Sequence, residues 1–234
     1  MIRRFPMAAI ALALGGAASA AAPSCPVPSN LQAPHMELPP PDQSPRAMPI
    51  TSFTLALIWT PQHCFRAVGG AESLQCPRGA EARFVLHGLW PDGAGGTWPQ
   101  WCAAAPVLSR QTIAAHYCAT PSPQLLQHEW AKHGTCIAGA TPDGYFGQSN
   151  RLFYGLRFPD MTMLARKPLT EARFTEAFAA ANSGTTADMV RLNLDPKGWL
   201  QEVWLCLDTT FRPARCTAPA RPTRKVRIRP YSND

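Results

Sequence analysis

The sequence predicts an α+β domain in which a central antiparallel β-sheet packs against several helices and disulfides brace the fold. Three observations predict it. Strand-like segments stand early and late in the chain with helical segments gathered between them, an order that suits an antiparallel sheet better than a regular βαβ alternation. Eight cysteines, an even number, are dispersed from Cys25 to Cys216. The chain of 234 residues shows no internal repeat and no linker long enough to divide it, so its apolar residues can share one substantial core.

The N-terminus opens with Arg3 and Arg4, continues through the apolar run AAIALALGGAA and closes on Ala18-Ser19-Ala20. That is the three-part form of a secretory signal over residues 1–20, with cleavage expected after Ala20 and Ala22 as the second choice. The apolar run is too short and too rich in Gly and Ala to serve as a membrane span. The expectation is a soluble exported chain, secreted or periplasmic, with no stable membrane association. In an oxidising compartment eight cysteines imply four disulfides, and their spacing is too dispersed for a CxxC metal site.

Residues 21–50 read as an exposed extended arm, with nine prolines between 23 and 50. A single domain is expected over 51–234. TSFTLALIWT (51–60) places Phe53, Leu55, Leu57 and Trp59 on one face, the alternation of a strand. Cys64 and Cys76 bracket a loop with two glycines. ARFVLHGLW is the next strand, expected to end near His87, with Gly88 allowing a close turn and Trp90-Pro91 forming a rigid corner. PDGAGGTWPQWC (91–102) reads as a turn-rich loop. Residues 108–117 and 124–133 read as helices separated by the breaker Pro-Ser-Pro. Further helices are expected around Asp143–Phe158 and over 169–181. ADMVRLNLD and WLQEVWLCLD read as late strands.

The formal charge is +7, of which Arg3 and Arg4 would leave with the signal, for about +5 in the exported chain. The sign weakly favours a polyanionic partner. Much of it is local to RPTRKVRIRP, with Arg221, Arg224, Lys225, Arg227 and Arg229. This segment is either an edge strand with Val226 and Ile228 facing inward or a track for phosphates.

HEWAKHGTC, residues 128–136, carries the densest chemistry. On a helix His128, Lys132, Glu129 and His133 fall at roughly 0°, 40°, 100° and 140°, one broad face with Trp130 and Ala131 turned away. Gly134 is positioned to end the helix. A solvated polar face, a metal site and an active-site wall all fit this segment alone. The zinc-protease pattern spaces its histidines by four with glutamate after the first. Here the spacing is five, and Lys132 would set a positive charge beside the ion, so no metal is expected. His87 in FVLHGLWPD adds a second imidazole from a separate segment. Two histidines with a lysine and a glutamate supply what phosphodiester cleavage needs: one imidazole to take a proton, one to give a proton, and a cation against charge developing on the phosphoryl oxygens. His35, His63 and His116 lie outside these motifs and read as structural or surface residues.

FVLHGLWPD and HEWAKHGTC, in this order and separated by a cysteine-bearing spacer, resemble the two active-site segments of the ribonuclease T2 family. The resemblance extends to LALIWTPQHC, WPQWC, the Tyr-Phe pair at 145–146 and the late cysteines, and covers the arm and basic tail least. LIWTPQHC departs modestly from the family's usual Trp-Pro-Pro form, at a strand end outside the catalytic set. The resemblance implies an endoribonuclease that cleaves single-stranded RNA through a 2′,3′-cyclic phosphate, as a monomer, with no cofactor and no cleavage of DNA. It implies His133 as the base for the ribose 2′-hydroxyl and His87 as the acid for the departing 5′-oxygen. His128 would bind phosphate, Glu129 and Lys132 would orient His133 and stabilise the pentacoordinate species, and Trp90 would stack on a base. The family pattern pairs Cys102 with Cys136. Cys206 with Cys216 and Cys64 with Cys76 are then expected as close pairs, leaving Cys25 with Cys118.

Overall fold

The computed structural model describes residues 25, 27–66, 76, 83–218 and 221–230. The signal expected over 1–20 and most of the loop between Cys64 and Cys76 lie outside the described residues. The main sheet has four antiparallel strands in the order β2-β1-β5-β4: β1 is Ser52–Trp59, β2 Phe84–Asp92, β4 Val190–Leu194 and β5 Leu200–Leu207. A two-stranded ribbon pairs β3 (Leu169–Thr170) with β6 (Lys225–Val226).

The alternation in β1 does what it promised. Phe53, Leu55, Leu57 and Trp59 are all buried, and register sets them beside Leu207, Leu205 and Val203 of β5 and beside Leu89, Leu86 and Phe84 of β2. On the opposite face Thr54, Ala56 and Ile58 are buried too, because β1 is an interior strand covered on both sides.

Six α-helices lie among the described residues. α2 (Arg110–His116), α3 (Pro123–Lys132), α4 (Pro142–Gly155) and α6 (Glu171–Ala181) fall where the sequence places helices. Each start has a side-chain cap: Ser109, Ser122, Thr141 and Thr170 accept from the backbone N–H three residues on, and Pro123 and Pro142 stand where no intrahelical donor is needed. α4 ends at Gly155, ahead of Pro159, so the helix is shorter than expected. Leu169 and Thr170 pair as a strand, so the following helix begins two residues later. Two short helices, α1 (Thr60–Arg66) and α5 (Met161–Ala165), carry too little periodicity for sequence reading to find.

In the basic tail Val226 and Ile228 are buried while Arg227 and Arg229 lie over Trp199, and Arg229 also donates to Gln62. That is the edge-strand arrangement of the two that the sequence left open. All four disulfides join the expected partners: Cys25–Cys118, Cys64–Cys76, Cys102–Cys136 and Cys206–Cys216.

β2 corrects the sequence reading. It does not end near His87 but runs on through Trp90 and Pro91 to Asp92, as an edge strand where proline is tolerated. Its register against β1 passes from Leu86↔Leu57 to Gly88↔Ala56, so His87 is an extra residue in a β-bulge. Gly88 makes no turn. A side chain there would put its Cβ 1.7 Å from Glu129 Oε2 of α3, so glycine is what lets a carboxylate lie against the strand. Glu129 is 1% exposed and has little room to retreat. Gly88→Ala is therefore expected to destabilise the fold by about 1–3 kcal/mol, read from a urea unfolding midpoint against the parent. An unchanged midpoint would show that α3 can move off β2.

Candidate active site

The bulge, the glycine beside it and the C-terminal end of α3 bring the expected residues into one place. α3 buries Leu126, Trp130 and Ala131, and its buried Gln127 accepts from the Leu108 N–H and donates to the Pro106 carbonyl. That burial fixes the rotation of the helix, so Glu129 points under Gly88. The helix ends at Lys132 with His133 as its cap, one residue before the glycine expected to end it. Gly134 instead lets the chain pass Trp130, where a Cβ would come within 2.3 Å of the indole.

The end of α3 is pinned from outside. The Trp101 N–H donates to the Lys132 carbonyl at 2.9 Å, and Cys102 is bonded to Cys136. Trp101 adopts a positive φ of 54°, an uncommon conformation for a large side chain, held here by that hydrogen bond and the neighbouring disulfide.

Trp90 is the centre of the arrangement. His133 stacks on it with centroids 5.6 Å apart and 28° between planes, and His87 meets it edge-on at 5.0 Å. Its indole N–H donates to Glu129 Oε2 at 2.9 Å, and Trp204 of β5 packs against it at 5.5 Å. Trp90 thus touches both imidazoles, and part of its own surface is already occupied. Glu129, expected to orient His133, meets Trp90 and His87 instead, because the Gly88 gap draws its carboxylate toward β2.

The two imidazoles have opposite surroundings. His87 donates from Nδ1 to Glu202 Oε1 at 2.5 Å, while its Nε2 lies 3.4 Å from Glu129 Oε1. Burial disfavours charge on His87, but the nearby Glu129 and the Glu202 hydrogen bond outweigh it and raise its pKa above the ordinary imidazole value. Glu202 is held below the usual carboxylate value: burial pushes it up, and the bond and charge of His87 with donors from Asn193 and Trp204 push it further down. His133, 6% exposed with no hydrogen bond at Nδ1, is held well below the imidazole range by burial first and then by Lys132, His128 and His87. Burial raises Glu129, with His87, His128 and the Trp90 N–H opposing it. The arrangement can hold one proton on His87 and leave His133 free to accept another.

Lys132 acts electrostatically on Glu37, His87, Glu129 and His133 together. His128 lies beside Trp101, with its Nδ1 bonded to Glu37 Oε2 at 2.6 Å. Two of these residues, Glu202 and Glu37, were not singled out by the sequence. Glu202 had a weak signal, a lone acid within the apolar strand LQEVWLCL. Glu37 had none. Among the described residues no group of three or more His, Cys, Asp or Glu side chains is placed to hold a metal ion.

The Ribonuclease T2 family model matches residues 50–216. A probable ribonuclease of Haemophilus influenzae is 32% identical over 127 residues, 49% of this chain and 46% of that protein. A ribonuclease of Aeromonas hydrophila is 42% identical over 86 residues, 36% of each chain. The chain thus spans less than half the length of these curated relatives. Among solved structures, trichomaglin, described as an S-like ribonuclease, superposes with a TM-score of 0.65 at 22% identity, covering 78% of this chain and 98% of that one. An RNase-related protein from Calystegia sepium gives 0.62 at 22% identity, over 77% and 97%. The structural likeness is one of fold, and the family match covers most of the chain, including both histidine segments: this protein belongs to the Ribonuclease T2 family.

Proposed function

We propose that this protein is an endoribonuclease that cleaves single-stranded RNA by acid–base transphosphorylation. The observation that carries the reading is the pair of imidazoles gathered at one indole, His87 between two carboxylates and His133 buried beside a lysine. His133, kept neutral, removes the proton from a ribose 2′-hydroxyl. The 2′-oxygen attacks the adjacent phosphorus, and His87, kept protonated, gives its Nε2 proton to the departing 5′-oxygen. One P–O bond forms, one breaks, and a 2′,3′-cyclic phosphate remains. Lys132 opposes the charge developing on the phosphoryl oxygens and His128 holds phosphate. Trp90 supports both histidines and offers its accessible part to a base. DNA lacks the internal nucleophile and is not cut. Residues 1–20 act as a secretory signal, and four disulfides suit an oxidising compartment outside the cytosol. No helix among the described residues is long and apolar enough to cross a membrane.

Purified protein incubated with RNA, with matched DNA, and with RNA plus a chelator tests the reading. Cleavage of RNA alone, unaffected by chelator and leaving cyclic phosphate ends, is the expected result. Intact protein that leaves RNA uncut between about pH 4 and 8 would overturn it, since that range brackets the ordinary imidazole value on both sides.

His87→Ala and His133→Ala should each lower kcat by about 10²–10⁴-fold, and Lys132→Ala by about 10²-fold with the circular dichroism spectrum retained. Full activity in either histidine variant would remove that residue from the mechanism.

The pH dependence has a definite sign. Activity needs His133 unprotonated and His87 protonated. The lowered pKa of His133 moves the acidic limb of kcat/KM below the ordinary imidazole value, and the raised pKa of His87 moves the alkaline limb above it. The profile should be broad and bell-shaped. A narrow bell with both limbs near the unperturbed imidazole value would contradict the assignment.

A further inference from the structure

The proline-rich arm reaches the active site. Its described residues form no helix or strand, yet they are tied down at several points. Cys25 is bonded to Cys118, Leu31 is buried, and Arg110 donates to the carbonyls of Ser29 and Leu31. Further along, Arg46 and Gln100 exchange two backbone hydrogen bonds, and the Trp101 indole donates to Gln43. Between these anchors lies Glu37, outside the segment that matches the family.

Both oxygens of Glu37 are engaged by α3. Oε2 accepts from His128 Nδ1 at 2.6 Å, and Oε1 accepts from the Gln124 side-chain amide. Gln124 clips the arm a second time, its own oxygen accepting the His35 N–H at 2.8 Å. Gln124 and His128 are four residues apart and so share one helix face, which lets a single arm residue bridge them. Trp101 closes the other side of the His128 ring, edge-on at 5.5 Å. The ring is therefore gripped by carboxylate and indole, and Nε2 is the nitrogen left for substrate.

We propose that Glu37 is a positioning residue for His128, making the arm a working part of the active site. The proposal rests on the reading of His128 as the phosphate-binding residue. By holding Nδ1–H, Glu37 fixes the plane of the imidazole and directs Nε2 toward the scissile phosphate. Glu37 also sets a negative charge within the field of the Lys132 ammonium.

The test is a double-mutant cycle on the full chain, with kcat/KM for a dinucleoside monophosphate and the thermal unfolding midpoint read together. Glu37→Ala should lower kcat/KM about tenfold, the worth of one charge-assisted hydrogen bond. Glu37→Gln, which keeps an acceptor for Nδ1–H, should lose less. In a His128→Ala background either change should cause no further loss, because Glu37 acts through that ring. Losses that multiply unchanged in the His128→Ala background would mean a general structural role and overturn the proposal, as would parent-like activity in Glu37→Ala. Should the alanine variant fail to fold, the glutamine cycle decides by the same criterion. A parent chain unable to cut RNA would overturn instead the functional reading beneath it.

Discussion

The carboxylate of Glu129 lying against Gly88 is the contact on which the site depends. It brings α3 against the edge strand, with no strand side chain in the way at Gly88. From that position the same carboxylate holds the Trp90 N–H and faces His87. Trp90 in turn sets the distance between the two imidazoles. Any larger residue in place of Gly88 would separate helix and strand, and the two histidines sit on opposite sides of that seam. Burying a carboxylate is costly unless donors and cations surround it. Here one indole N–H and the nearby His87, His128 and Lys132 do so.

The opposite charge preferences of His87 and His133 follow from the same packing. Partial burial of His87 and near-complete burial of His133 both disfavour charge, and burial alone would leave both neutral. The difference is in their neighbours. β5 delivers Glu202 to His87, Nδ1 to Oε1, at 2.5 Å across the intervening strand β1. His133 sits at the helix end, stacked on an aromatic ring with Lys132 as its chain neighbour. A shared burial and an unshared carboxylate turn one residue type into two chemical roles.

Much of this was legible in the sequence, and the exceptions have physical causes. The strands and longer helices announced themselves because burial of one face imposes a period, and the two histidine segments because their chemistry is concentrated in nine residues each. His87 was placed at a strand end because Gly88 and Trp90-Pro91 read as a turn and a corner. The strand instead continues through all three, with His87 as one inserted residue within it. Glu202 and Glu37 went unread because what they contact is 115 and 91 residues away, and no local pattern records such a meeting. The arm looked detached for a similar reason: its ties are scattered hydrogen bonds and one disulfide, with no periodic apolar face.

The extra residue in β2 has a further consequence. Phe84 and Leu86 face the core in one phase and Leu89 in the opposite phase, and His87 alone accounts for the change. Written without it, FVL-GLWPD is an ordinary strand whose inward and outward positions run unbroken from Phe84 to Trp90. Every apolar residue of that shorter strand would keep its side, so the core's alternation does not call for His87. The buried acids beside it do: without His87, Glu202 and Glu129 would lose the imidazole that faces them both, so the insertion serves the local charge balance as well as the chemistry proposed for it.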